Sequence, residues 1–220
     1  MDHNAGLVLD ALRASGLEEN TLVLYWGDNG YSLGEHGRFE KHCFYEHAIR
    51  VPLIFHLPGR IPAGKVVGAL TESADITPTL LELLGAAPLP VMHGASLVPY
   101  LEGGEPARPR DHIFSEYLHN EEVAIRTPRW KLIYCSGRRK RDDGYETGNP
   151  TPGRYKRLFD LEADPGEFTD LSAQHPETVR ELLALALRRF RDTHPEAGQE
   201  PAGLAAEDAL DWYLPPRETS

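Results

Sequence analysis

Between Tyr25 and Pro52 the chain reads YWGDNGYSLGEHGRFEKHCFYEHAIRVP, and its chemistry-bearing residues are concentrated there. Asp28 and Asn29 set a carboxylate beside an amide oxygen. These are two hard donors suited to Ca²⁺, or alternatively Mg²⁺. Ca²⁺ takes six to eight oxygens, so the two would form only part of a shell. Asp-Asn-Gly is equally a turn sequence, because all three residues favour turns. Lys41 lies thirteen residues beyond Asp28, and an ammonium there could neutralise a developing oxyanion. A solvated surface charge is the competing reading of a single lysine. His36, His42 and His47 do not have the spacing of a His-Glu-x-x-His zinc motif. Cys43 follows His42, but neighbours on a strand or helix point apart, so Cys43 reads as structural rather than as half of a dyad.

These residues need elements to hold them. Thr21–Tyr25 is a short β-rich run ending in loop residues, and ligands gather outside the carboxyl ends of strands in open α/β sheets. Before it, Leu7, Val8, Ala11 and Leu12 form a helical stripe over 3–15 that Gly16 ends. Val51–Phe55 predicts a second strand. Thr77 as N-cap and Pro78 at the first helical position predict a helix that runs to Gly85. This alternation is α/β grammar.

From about residue 105 the pattern changes. His112–Tyr117, Val123–Arg126, Trp130–Cys135 and Leu158–Leu161 read as successive short strands with turns at Thr127–Arg129 and Asp164–Gly166. A helix from about Pro176 to Arg191 carries Val179, Leu182, Leu183 and Ala186 on one face. The stretch 136–157 reads as a long exposed loop. The expected organisation is an α/β region over 1–104, a small antiparallel sheet plus helix over 105–194, and an irregular tail over 195–220.

Composition excludes several classes. With 40% apolar and 26% charged residues, the chain is not wholly disordered. No apolar run approaches the roughly 20 residues of a membrane span. The N-terminus lacks a basic segment followed by an apolar core, so no signal peptide is expected. A net charge of −11 argues against overall electrostatic binding to nucleic acid. Two cysteines make neither a disulfide framework nor a Cys-rich zinc site.

The residues occur in the order found in type I sulfatases of the alkaline phosphatase superfamily. DNG at Asp28–Gly30, LGEHG at Leu33–Gly37, Lys41, Tyr45 with Glu46, and RVP at Arg50–Pro52 resemble that family's sequence after its first half. ADITPTL (Ala74–Leu80), HGASLVPYL (His93–Leu101), AIRTPRWKLI (Ala124–Ile133) and LFDLEADPGE (Leu158–Glu167) resemble further motifs in the same order. His93 stands where the family usually has Asp. The resemblance runs to about residue 191.

The resemblance implies an α/β fold: the C-terminal part of an alkaline phosphatase-like sulfatase, with a large mixed sheet flanked by helices, plus a small antiparallel α+β unit. It implies hydrolysis of sulfate esters, including those of carbohydrates. It makes Asp28 and Asn29 ligands to Ca²⁺, or Mg²⁺, and Lys41 the residue contacting sulfate. His36 lies in a loop near that site. Glu46 and Arg50 are expected to hold the loop and strand together, and Arg126 and Lys131 to belong to the C-terminal sheet. The family's nucleophile is a formylglycine made within a Cys/Ser-x-Pro-x-Arg motif. Neither Cys43 nor Cys135 leads such a motif, and no Ser version occurs. That motif and the remaining metal ligands are expected in a preceding N-terminal half, which would be the partner of this chain. Alone, the chain is expected to be inactive. Phosphodiesterase or phosphonate monoester hydrolase relatives are the alternative class, and a non-catalytic remnant is a third. Full-length relatives are often periplasmic, secreted or lysosomal.

Overall fold

A computed structural model of the chain describes residues 2–106, 109–138 and 153–215. Its helices are α1 (Asp2–Ala14), α2 (Glu46–Ile49), α3 (Ile76–Leu83), α4 (Val98–Leu101), α5 (Pro176–Thr193) and α6 (Ala206–Tyr213). Its strands are β1 (Val23–Trp26), β2 (Leu53–His56), β3 (Ile113–Tyr117), β4 (Glu122–Arg126), β5 (Trp130–Cys135) and β6 (Tyr155–Asp160). The chain divides into two units. One comprises Met1–Asp28, Val51–Ala69 and Ser73–Pro109; the other comprises Asn29–Arg50, Leu70–Glu72 and Arg110–Ser220. The observed division therefore differs from a single cut near residue 105, because the Asn29–Arg50 segment groups with the later residues.

In the first unit β1 and β2 pair antiparallel, with Val23 opposite His56 and Trp26 opposite Leu53. Within the β-rich run Thr21–Tyr25 the strand starts at Val23 and runs one residue further, to Trp26, and its Tyr25 and Trp26 are 43% and 42% exposed. No residue of α1 is buried, and its Leu7 and Val8 face solvent. Helix α3 begins earlier than the Thr77 cap predicted. Asp75 precedes it, and its carboxylate accepts a bond from the Ala95 amide at 2.8 Å instead of capping the helix. Pro78 thus lies in the first turn rather than at the first position, where its missing N–H still has no intrahelical partner to lose. The stop at Gly85 is observed, with φ +66° and a bond from the Ala86 amide to the Leu81 carbonyl. This is a Schellman closure.

The second unit is built on the antiparallel sheet β3-β4-β5-β6. Its core follows from strand alternation. Val123, Ile125, Leu132, Tyr134 and Leu158 face α5, which presents Val179, Leu182, Leu183, Ala186 and Leu187 as its apolar spacing predicts. Ala124, Ile133 and Phe159 face the opposite way and pack with Cys43, Phe44, Tyr45 and Ala48. The sheet is thus covered on both faces, which makes β4 and β5 almost wholly buried.

The irregular tail is corrected. Residues 206–213 form α6, whose Ala209, Leu210 and Tyr213 are completely buried in the α5 side of the core. The Tyr213 ring lies parallel to Phe190 at 5.3 Å between centroids. Of the predicted exposed loop 136–157, residues 139–152 lie outside the described residues, while Ser136 is buried and Tyr155 already begins β6.

Candidate functional site

The segment Asn29–Arg50 is folded by close backbone approaches. The Gly30 amide donates to the Ala48 carbonyl at 2.8 Å. A β-carbon at Gly30 would stand 2.0 Å from the His47 carbonyl oxygen, so only glycine fits the third position of Asp-Asn-Gly. Further along, the Ser32 amide donates to Glu40 at 2.7 Å and the Gly34 amide to Arg38 at 2.9 Å. These bonds close the LGEHG loop. Within it Gly34, His36 and Gly37 all take positive φ, which explains two glycines in four residues. The Glu35 carboxylate accepts from the Leu33 amide at 2.6 Å. Arg38 and Glu40 form a buried ion pair at the base.

The three histidines have separate tasks. His36 stacks on Tyr45 with ring centroids 3.8 Å apart, and Phe168 lies 5.1 Å from it. His42 stacks on Tyr117, and His47 hydrogen-bonds Ser32. Burial, and then the charge of His47, hold the His36 pKa below its ordinary value. Burial pushes the Cys43 thiol up and the Cys135 thiol to about 12, so both stay protonated and unreactive at neutral pH, as a structural role requires.

Asp28 and Lys41 are exposed, and Asn29 is half-buried. Among the described residues no three His, Cys, Asp or Glu side chains gather where they could hold a metal.

Glu46 pairs with the C-terminal sheet. Its Oε1 lies 2.9 Å from Lys131 and 3.1 Å from Arg126, while Arg50 is exposed. Lys131 reaches Glu167 at 2.6 Å as well. Burial works against the Glu46 carboxylate, but Lys131 and then Arg126 outweigh it and lower its pKa. For Glu167 burial prevails, and its pKa rises despite Lys131. The role of Glu167 was missed in the sequence. The available signal was Lys131 itself: it shares one strand face with Ile133 and Cys135, and a buried lysine demands a carboxylate.

The family described as "N-sulphoglucosamine sulphohydrolase, C-terminal" matches residues 34–193. The chain belongs to this sulfatase family. It is similar to a choline-sulfatase of Rhizobium meliloti, 32% identical over 97% of this chain and 39% of that protein. Its fold matches a structure solved in complex with its substrate D-glucosamine-2-N,6-O-disulfate. There the TM-score is 0.73 with 31% identity, covering 89% of this chain and 40% of the other. A phosphonate monoester hydrolase of Agrobacterium radiobacter gives a TM-score of 0.71 at 28% identity, with 90% and 40% covered. This sulfatase chain therefore spans about two-fifths of the length of these proteins. The solved structures support the alkaline phosphatase-like fold, with the C-terminal sheet and its helix in place.

Proposed function

We propose that the chain supplies the C-terminal part of a hydrolase of carbohydrate sulfate esters. The observation that carries this reading is the family match over 34–193, which includes Gly34–Gly37 of the LGEHG loop, Lys41, and Glu46 with the buried Glu167. In this reading Lys41 contacts a sulfate oxygen, and Asp28 and Asn29 hold Ca²⁺, with Mg²⁺ as the substitute. A carboxylate and an amide oxygen fit the donor chemistry of Ca²⁺, and this chain contributes two donors of a larger shell. The cation supplies positive charge against the sulfate oxygens when bound. The Lys41 ammonium adds its own charge from an exposed position. His36 shapes the loop by stacking on Tyr45. The formylglycine nucleophile belongs to a partner segment carrying Cys/Ser-x-Pro-x-Arg, and the chain alone does not turn over sulfate esters.

The test joins the chain to such a segment, matures it with a formylglycine-generating enzyme and adds Ca²⁺. Inorganic sulfate release from glucosamine 6-sulfate is then measured. Activity lost in Lys41→Ala and Asp28→Ala supports the reading. Metal-dependent turnover by the 220-residue chain alone would contradict it. The second reading, phosphonate monoester hydrolysis, is favoured by the fold match to the Agrobacterium enzyme. A phosphonate monoester assayed in parallel separates the two.

A further inference from the structure

Lys41 stands exposed between two buried anchors. On its N-terminal side Glu40 is buried, pairs with Arg38, and receives the Ser32 amide on its carbonyl. On its C-terminal side Cys43, Phe44 and Tyr45 are buried against the sheet. That second anchor is tied by charge as well as packing. Lys131, on β5 and without exposure, donates to the Phe44 carbonyl at 2.8 Å. The same ammonium lies within ion-pair distance of both Glu46 and Glu167.

Glu167 makes a second connection. Its Oε2 accepts from the Glu46 amide at 2.6 Å, the first amide of α2. One carboxylate thus neutralises the lysine and holds the backbone five residues after Lys41. The Glu167 backbone takes φ +59°, a left-handed conformation that a β-carbon disfavours. Such a conformation persists where its surroundings over-determine it. The Asp164 carbonyl accepts the Glu167 amide at 3.0 Å, so both backbone and side chain are fixed. With Arg126 on Glu46, the cluster pairs two basic with two acidic side chains.

We propose that Lys131 and Glu167 are positioning residues for Lys41: through Phe44 and Glu46 they hold the loop that presents it. The meaning for catalysis rests on the role proposed above for Lys41, whereas the holding of the loop does not. The test is hydrogen–deuterium exchange on the full chain, comparing Glu167→Gln and Lys131→Met with the unsubstituted protein. The expected result is exchange at least tenfold faster across 41–50, with β4, β5 and α5 still protected. Unchanged exchange in 41–50, or equal acceleration throughout, would overturn the proposal. Should Lys131→Met not accumulate as folded protein, Glu167→Gln decides alone, since it keeps one oxygen for the Glu46 amide while an NH2 replaces the carboxylate oxygen that faces Lys131. In the joined enzyme Glu167→Gln should lower kcat/KM for glucosamine 6-sulfate at least tenfold. Absence of turnover by the joined, unsubstituted enzyme would count against the sulfatase reading, and the exchange pattern would still decide whether the network holds the loop.

Discussion

Ser32 Oγ lies 2.6 Å from His47 Nε2 and so ties the start of the LGEHG loop to the helical turn fifteen residues later. Ser32 is completely buried, and its bond to His47 is a structural tie. Burial holds the His47 pKa below its ordinary value, against the pull of the Glu35 carboxylate.

A pH dependence follows from that tie. The folded state prefers neutral His47 and His36, so the unfolded chain takes up protons first as pH falls below about 6.5. Stability is complete above that value and is lost as pH drops towards the lowered folded pKa. Thermal unfolding followed at pH 7.5, 6.0 and 5.0 should show a falling midpoint. His47→Gln keeps a hydrogen-bonding partner for Ser32 and should reduce the fall. An equal fall in the variant would refute the assignment.

The buried lysine has an energetic consequence. Lys131→Met alone leaves Glu46 and Glu167 without their shared cation, and breaking a buried pair in this way costs about 3–5 kcal/mol. Adding Glu167→Gln removes one of the stranded charges and should recover part of the loss. Urea denaturation of the single and double variants measures both steps.

Helix α6 should behave as core. Leu210 is completely buried, and Leu210→Ala should destabilise the second unit by about 2–5 kcal/mol. Exposed Leu204, a few residues before the helix, should tolerate the same change within about 0.5 kcal/mol. Chemical denaturation of the two variants distinguishes a packed helix from a loose tail.

Glu200 joins α5 to α6. It accepts from Arg191 at 2.7 Å and from the Tyr213 hydroxyl at 2.7 Å, and these two bonds lower its pKa to about 2. A depressed carboxylate contributes stability that is present above its unfolded pKa, about 4.3, and is lost as pH falls towards the folded value. Acid titration between pH 4.5 and 2 should therefore loosen the α5–α6 pairing, seen in the fluorescence of neighbouring Trp212. In Glu200→Gln the transition in this range should be weaker.

Elements whose signals are local were legible in the sequence. The bounds of β5 at Trp130–Cys135 and the inward face of α5 depend on periodicity within one segment, and both are as expected. The order of motifs from Asp28 to Glu167 was likewise enough to indicate the family. Helix α6 was not legible, because eight residues without a side-chain cap carry little helical signal. Its stability comes from burying Leu210 and Tyr213 against α5 and the sheet. The start of α3 also moved, because Asp75 spends its carboxylate on Ala95, twenty residues away. The largest difference lies in the site. The family resemblance pointed to Lys41 and its loop, but the hold on that loop joins residues 121 positions apart at Glu46 and Glu167. Only a folded sheet brings them together. A lysine buried at Lys131 then requires both carboxylates, since a lone ammonium in that interior would be too costly to keep charged.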